Sequence, residues 1–193
     1  TGVATDSHRL SSCSLELDNA ENFSSIILPR KTVFQLCSLL TETSEKLSMQ
    51  ISDNKIQFNL GNMKLISKVI DGKFPDYKKV VPINNDKLLV VPSKDFISSI
   101  ERVTSVSLDR KEGVKLLINK DNVQLSVNSA NSGDGSEIIK ANFNSDNLSI
   151  SFNSKYLIDI ISEIEDNNLR MNLKDSVSPV LIEDASDKNC YYV

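Results

Sequence analysis

The chain has 193 residues, 39% of them hydrophobic, with 22 Lys and Arg against 26 Asp and Glu and a formal net charge of -4. That is enough apolar material for one large or two small cores, while no apolar run approaches the roughly 18 residues that span a bilayer. A pI near 5.1 argues, on average, against nucleic acid as a partner, although a ring or cleft can be acidic outside and basic along one lining surface.

The first landmark is "ATDSHRL", Ala4 to Leu10, which holds the only histidine. A histidine beside a carboxylate and a hydroxyl is raw material for general base catalysis, so a hydrolase using His8 and Asp6 is one reading. Against it, Asp6, Ser7 and His8 are consecutive, and neighbours on a strand or turn point in different directions. The chain has no G-x-S-x-G elbow, glycine-rich phosphate loop or second histidine. A turn in which Asp6 accepts bonds from the backbone is the plainer account. No catalytic residue is assigned.

The three cysteines, Cys13, Cys37 and Cys190, are odd in number and widely spaced, which suits neither a disulfide framework nor paired zinc ligands. The acidic residues lack the spacing of a calcium loop. The expectation is no metal, no cofactor and a reducing compartment. The first residues also lack the regions of a secretory signal, which points to the cytoplasm.

Further along, one unit recurs three times. "ILPRKTVFQLCSLL" (Ile27 to Leu40), "VVPSKDFISSIERV" (Val90 to Val103) and "SFNSKYLIDIISEI" (Ser151 to Ile164) each pass from apolar residues through Pro or Asn. Each then keeps a lysine, Lys31, Lys94 or Lys155, and runs into helix-spaced apolar positions. Val33, Leu36, Cys37 and Leu40 fall at i, i+3, i+4 and i+7, as do Leu157, Ile160, Ile161 and Ile164; Phe96, Ile97, Ile100 and Val103 make a looser stripe. All three read as core faces.

Downstream of each copy come alternating strands around a polar turn: "LSMQISDNKIQF", "VKLLINKDNVQL" and "LRMNLKDSVSPVLI". Between copies lie "MKLISKVI", "KLLVV" and "SEIIKANF", with "CYYV" at the end. "NSANSGDGSE", Asn128 to Glu137, reads as a mobile loop with Gly133 and Gly135 as turn formers. The pattern predicts an α+β fold of antiparallel sheets, one helix per repeat and two repeats per domain. "FPDYKKVVPINNDK", Phe74 to Lys87, interrupts the periodicity and predicts a boundary: 1–82 in one domain and 83–193 in the next. The first copy then lacks its partner, which is expected upstream of Thr1.

Four stretches together, "ATDSHRL", "PRK" at Pro29 to Lys31, "SKVIDGKFPDYKKVVP" at Ser67 to Pro82 and "DSVSPVLIEDA" at Asp175 to Ala185, closely resemble the bacterial DNA sliding clamp, the DNA polymerase III beta subunit. The resemblance runs over essentially the whole chain. It implies a DNA clamp fold, with 1–82 the later part of the middle domain and 83–193 the C-terminal domain short of a few final residues. It also implies a non-enzymatic processivity factor that encircles duplex DNA as a homodimeric ring and is loaded by a clamp loader. Such a clamp tethers DNA polymerase III and other proteins through a hydrophobic pocket for short peptides.

Carried over by position, the pocket comprises Thr5, Ser7, His8, Arg9, Leu10, Pro75, Lys79, Val80, Val177, Pro179 and Val193. Ser7 stands where the family has glycine, Pro179 where serine is common, and Lys79 where arginine is usual, which changes a turn, a hydroxyl and a planar fork. Arg30, Lys31, Lys94 and Lys155 would face DNA. Cations near helix N-termini oppose the helix dipole at about 0.3 to 1 kcal/mol each. Ser105 and Val106 fall on the expected dimer surface.

Overall fold

The computed structural model describes residues 1–16, 25–40, 45–106, 113–129 and 133–193. In chain order the elements are β1 (Gly2–Thr5), β2 (Leu10–Cys13), α1 (Arg30–Leu39), β3 (Ser48–Ser52), β4 (Lys55–Leu60), β5 (Met63–Lys68), β6 (Lys87–Pro92) and α2 (Ser93–Thr104). They continue with β7 (Gly113–Ile118), β8 (Asn122–Ser129), β9 (Gly133–Lys140), β10 (Asn142–Phe143), β11 (Leu148–Asn153), α3 (Ser154–Ile161), β12 (Asn168–Leu173), β13 (Leu181–Glu183) and β14 (Cys190–Tyr192). The architecture is α+β, and every strand pairing is antiparallel.

By contacts the chain divides into Thr1–Glu16 with Tyr77–Val193, and residues 17–76. The sequence-based division at 82 follows chain order. The contact division does not, because β2 pairs with β14 at the far end of the chain.

In the larger unit one sheet runs β1-β2-β14-β13-β12-β6-β10 and the other β11-β7-β8-β9. The second and third repeats each contribute a strand, a helix and then further strands. Each leading strand joins the other repeat's sheet: β6 pairs with β12, and β11 with β7. Two copies of the unit are thereby interlocked, since neither sheet is complete without the other copy.

The helices pack between these sheets for the reason the periodicity predicts. On α2, Phe96, Ile100 and Val103 are buried, and Leu157, Ile160, Ile161 and Ile164 are buried on and just after α3. They meet Leu89, Val91, Leu116, Leu125, Leu169 and Met171 from the strands in one core. At about 1.5 to 3 kcal/mol per buried large side chain, this core is the main source of stability. Pro92 precedes α2 with φ preset at -59°. Asn153 caps α3 by accepting bonds from the Lys155 and Tyr156 amides.

The 17–76 unit holds the sheet β3-β4-β5 and α1. Ile56, Phe58 and Leu60 alternate inward on β4. Here the expected core face on α1 does not form. Val33, Phe34, Cys37 and Leu40 are exposed, and the helix buries only Thr32, whose hydroxyl meets Ser67 at 2.6 Å. In the larger unit α2 packs against α3; among the described residues of this unit α1 is the only helix, so nothing of that kind covers its stripe.

Two further expectations are corrected. Gly133 and Gly135 lie in strand β9 rather than in a loop, and a Cβ on Gly135 would come within 2.6 Å of the Val103 carbonyl oxygen. That glycine lets β9 approach α2. Residues 130–132 lie outside the described residues. Second, Cys13 and Cys190 form a disulfide across a separation of 177 residues, because β2 and β14 pair them directly; long-range strand pairing is invisible to cysteine spacing.

β9 is fixed to α2 by Glu137. Arg102 donates to both carboxylate oxygens, at 2.9 and 2.6 Å, and the Ser99 hydroxyl donates at 2.9 Å. The Arg102 bond, opposed by partial desolvation, holds the Glu137 carboxyl below its ordinary 4.5. A depressed carboxyl contributes stability above the ordinary value, lost as pH falls through the lowered one. Thermal unfolding should therefore shift downward as pH drops below about 4.5, with a smaller acid slope for Glu137→Gln. Equal slopes for the two chains would contradict this role.

Candidate functional site

The "ATDSHRL" segment forms the turn between β1 and β2. Thr5 Oγ1 donates to the Arg9 carbonyl at 2.8 Å and accepts from the Ser7 amide at 3.3 Å. Asp6 Oδ1 accepts from the His8 and Arg9 amides, both at 3.0 Å, and Oδ2 accepts from Arg9 Nε at 3.0 Å. Desolvation pushes the Asp6 carboxyl up, but these bonds outweigh it and hold the group below 3.8. Both oxygens serve the turn rather than the His8 imidazole, so the base-and-orienter geometry a hydrolase needs is not made.

Arg9 carries the turn outward to the rest of its unit. Its Nη1 donates to Asp159 Oδ2 at 2.7 Å, and its guanidinium lies 4.3 Å from the centre of the Tyr156 ring. The exposed His8 ring sits 6.4 Å from that same ring. Tyr156 and Asp159 are one turn apart on α3 and so share a face. Neither was among the expected site residues; their i, i+3 spacing was readable, but the strand that faces them was not.

Leu10 is buried beneath the turn. It exchanges both main-chain bonds with Val193, at 2.8 and 2.9 Å. Elsewhere in the same unit, Asp175 organises a second turn by accepting from the Val177 and Ser178 amides at 3.0 and 2.7 Å. Val177 is left 89% exposed. Pro179 is exposed, and its carbonyl accepts from the Asn85 side chain at 2.9 Å. Lys79 ends a short 3-10 turn, Tyr77–Lys79, and Val80 follows it, half exposed. Ile83, which the sequence reading did not select, is 87% exposed. Pro75 is exposed in the other unit.

The repeated cation takes the second position of the three described α-helices: Lys31 in α1, Lys94 in α2 and Lys155 in α3, all exposed. Arg30 opens α1 and lies 5.1 Å from the Phe34 ring centre. Lys94 lines a hollow of about 200 Å³ together with Glu165 and Asp166. Ser105 ends α2, exposed, and Val106 packs on the core. Among the described residues β9, beside α2, is an unpaired sheet edge with Ile138 65% exposed. Such an edge presents unpaired backbone groups to another chain.

Ser7 adopts φ 74°, the left-handed region that costs a residue with a Cβ about 1 kcal/mol or more. The serine thus keeps a glycine-type turn at an energetic cost. Ser7→Gly should stabilise the chain by about 1 kcal/mol in urea unfolding; a destabilised variant would contradict the strain.

Residues 1–76 match the central-domain model, and 78–193 the C-terminal-domain model, of the DNA polymerase III beta subunit. The beta sliding clamp of Escherichia coli strain K12 is 34% identical over 191 residues, covering 99% of this chain and 52% of that protein. A sliding clamp from Bartonella birtlesii, solved bound to griselimycin, superposes with a TM-score of 0.94 at 38% identity, over 98% of this chain and 52% of that one. The clamp of Caulobacter crescentus gives 0.93 at 32% identity, again over 98% and 52%. The chain spans about half the length of the relatives it matches. With the two domain models together spanning nearly the whole chain and the fold shared with solved clamps, this chain belongs to the DNA polymerase III beta subunit family, the bacterial sliding clamps.

Proposed function

We propose that this chain works as part of a cytoplasmic processivity factor. Within a homodimeric ring placed by a clamp loader, it encircles duplex DNA and tethers DNA polymerase III and other proteins by a short peptide. Residues 1–82 would supply the later part of the middle domain and 83–193 the C-terminal domain. No step is catalytic. The observation that carries the reading is the turn at Thr5–Leu10: closed by Thr5 and Asp6, it presents the exposed His8 side chain and the Arg9 guanidinium over a buried Leu10. In the same unit, Val80 and Val177 leave apolar surface uncovered. A peptide carrying Gln and Leu or Phe has the matching chemistry, an apolar anchor to desolvate and polar groups to orient.

The DNA role rests on the cation repeated at each helix start. Such charges attract phosphates without reading sequence. For the dimer surface, Ser105 and Val106 at the end of α2 neighbour the free edge of β9, and pairing of that edge is a recognised mode of chain association.

Two measurements test the proposal. A labelled Gln-Leu-Asp-Leu-Phe peptide should bind this chain by fluorescence polarisation. Val177→Asp, a change at an exposed position, should weaken binding tenfold or more; equal affinity for both chains would overturn the pocket. Duplex DNA binding should weaken with salt. Replacing Arg30, Lys31, Lys94 and Lys155 by Gln should reduce the slope of log K against log salt by up to about 3.6, and an unchanged slope would remove these residues from the DNA surface.

A further inference from the structure

Cys13, Cys190 and Asp187 form a cluster that peptide and DNA binding leave unused, with ligand-type atoms all within 4.8 Å of one another. Strand register creates it. Leu10 and Val193 are a hydrogen-bonded pair, as are Ser14 and Asn189 through the Ser14 amide. Alternation along the ladder makes Cys13 and Cys190 a non-hydrogen-bonded pair, the arrangement that brings facing side chains closest. The resulting disulfide is reachable from solvent, with Cys13 exposed and Cys190 half-buried. Asp187 Oδ2 lies 3.2 Å from Cys190 Sγ.

The position of this bond in the sheet gives it consequence. Among the described residues the β1–β2 hairpin joins the seven-stranded sheet through β14. The disulfide sits at one end of that ladder and the Leu10–Val193 pair at the other. Among the described residues the hairpin that carries Thr5, His8 and Arg9 is held to its unit by this ladder, the disulfide, the buried Leu10 and the contacts of Arg9 with Asp159 and Tyr156.

We propose that Cys13 and Cys190 are a reversible thiol–disulfide exchange site for small thiols and disulfides, which sets how firmly this hairpin is held to its sheet. Its effect on peptide binding rests on the function proposed above. In reduction, a small thiolate attacks the exposed Cys13 Sγ. The S–S bond breaks, a mixed disulfide forms on Cys13, and Cys190 leaves as a thiolate that takes a proton from water. A second thiolate attacks the mixed disulfide, releasing the small disulfide and the Cys13 thiolate, which is protonated in turn. Two small thiols are oxidised, one protein disulfide is reduced, and the reverse sequence closes the bond. The Asp187 carboxylate repels the departing Cys190 thiolate and slows opening. Disulfides in reducing compartments are characteristically transient or redox-sensing, which suits this assignment.

The test uses the 193-residue chain in glutathione buffers of graded reduced-to-oxidised ratio. Alkylation with mass spectrometry reads the thiols, and amide exchange reads segments 10–13 and 190–193. Cys13 and Cys190 should interconvert as a pair, and reduction should speed exchange in both segments tenfold or more while β7 and β8 stay unchanged. Asp187→Asn should accelerate reduction several-fold. The double variant Cys13→Ser, Cys190→Ser should exchange fast in either buffer. Peptide affinity should fall several-fold on reduction of the natural chain only. Thiols that stay free in excess oxidised glutathione, or segments that exchange alike in both states, would overturn the proposal. Unchanged peptide affinity beside a loosened hairpin would overturn the link to binding. Absence of peptide binding in both states would count against the peptide pocket instead, with amide exchange still deciding the thiol site.

Discussion

The arrangement of the candidate site depends on one side chain, Arg9. Its guanidinium bonds Asp6 inside the turn and Asp159 on α3 while lying over Tyr156. An exposed ion pair is ordinarily worth under about 1 kcal/mol, but here two carboxylates and a ring act on one planar group, which limits its freedom from three sides. The turn itself is closed by Thr5 and Asp6, so Arg9 is left to orient the finished turn against the helix. Donors held in place before a ligand arrives lose little entropy on binding.

The interlocked repeat supplies the rigid frame for that contact. Because β6 completes the sheet of β12 and β11 that of β7, α2 and α3, which pack against each other, share one core built from both copies. α3 then offers Tyr156 and Asp159 outward while Leu157, Ile160 and Ile161 hold it inward. The same helices carry Lys94 and Lys155 at their second positions. A single packing solution thus places both the Tyr156 and Asp159 that meet Arg9 and the helix starts that carry Lys94 and Lys155.

Much of this was readable from residues alone. The alternating strands, the three helices and the threefold unit follow from local periodicity, which acts over neighbouring residues. The turn at Asp6 was readable because aspartate bonds amides two and three residues on. What escaped depends on long-range pairing. The exchange of leading strands, the meeting of Cys13 with Cys190 and the contact of Arg9 with Asp159 each join residues far apart in sequence. The exposed stripe on α1 escaped for a different reason: periodicity marks an apolar face, but says nothing about what covers it. Gly135 had the same limitation, since only the approach of α2 reveals why a side chain is excluded.

The most direct measurement of the central claim is a double-mutant cycle between Arg9 and Asp159, read as affinity for the Gln-Leu-Asp-Leu-Phe peptide. If Arg9 acts by orienting the turn through Asp159, Asp159→Ala weakens binding, although Asp159 lies outside the expected contact set, and adds little once Arg9 is already Ala. The two losses would then be strongly non-additive. Losses that simply add, or an Asp159→Ala chain that binds as well as the natural one, would contradict the claim that this interaction organises the site.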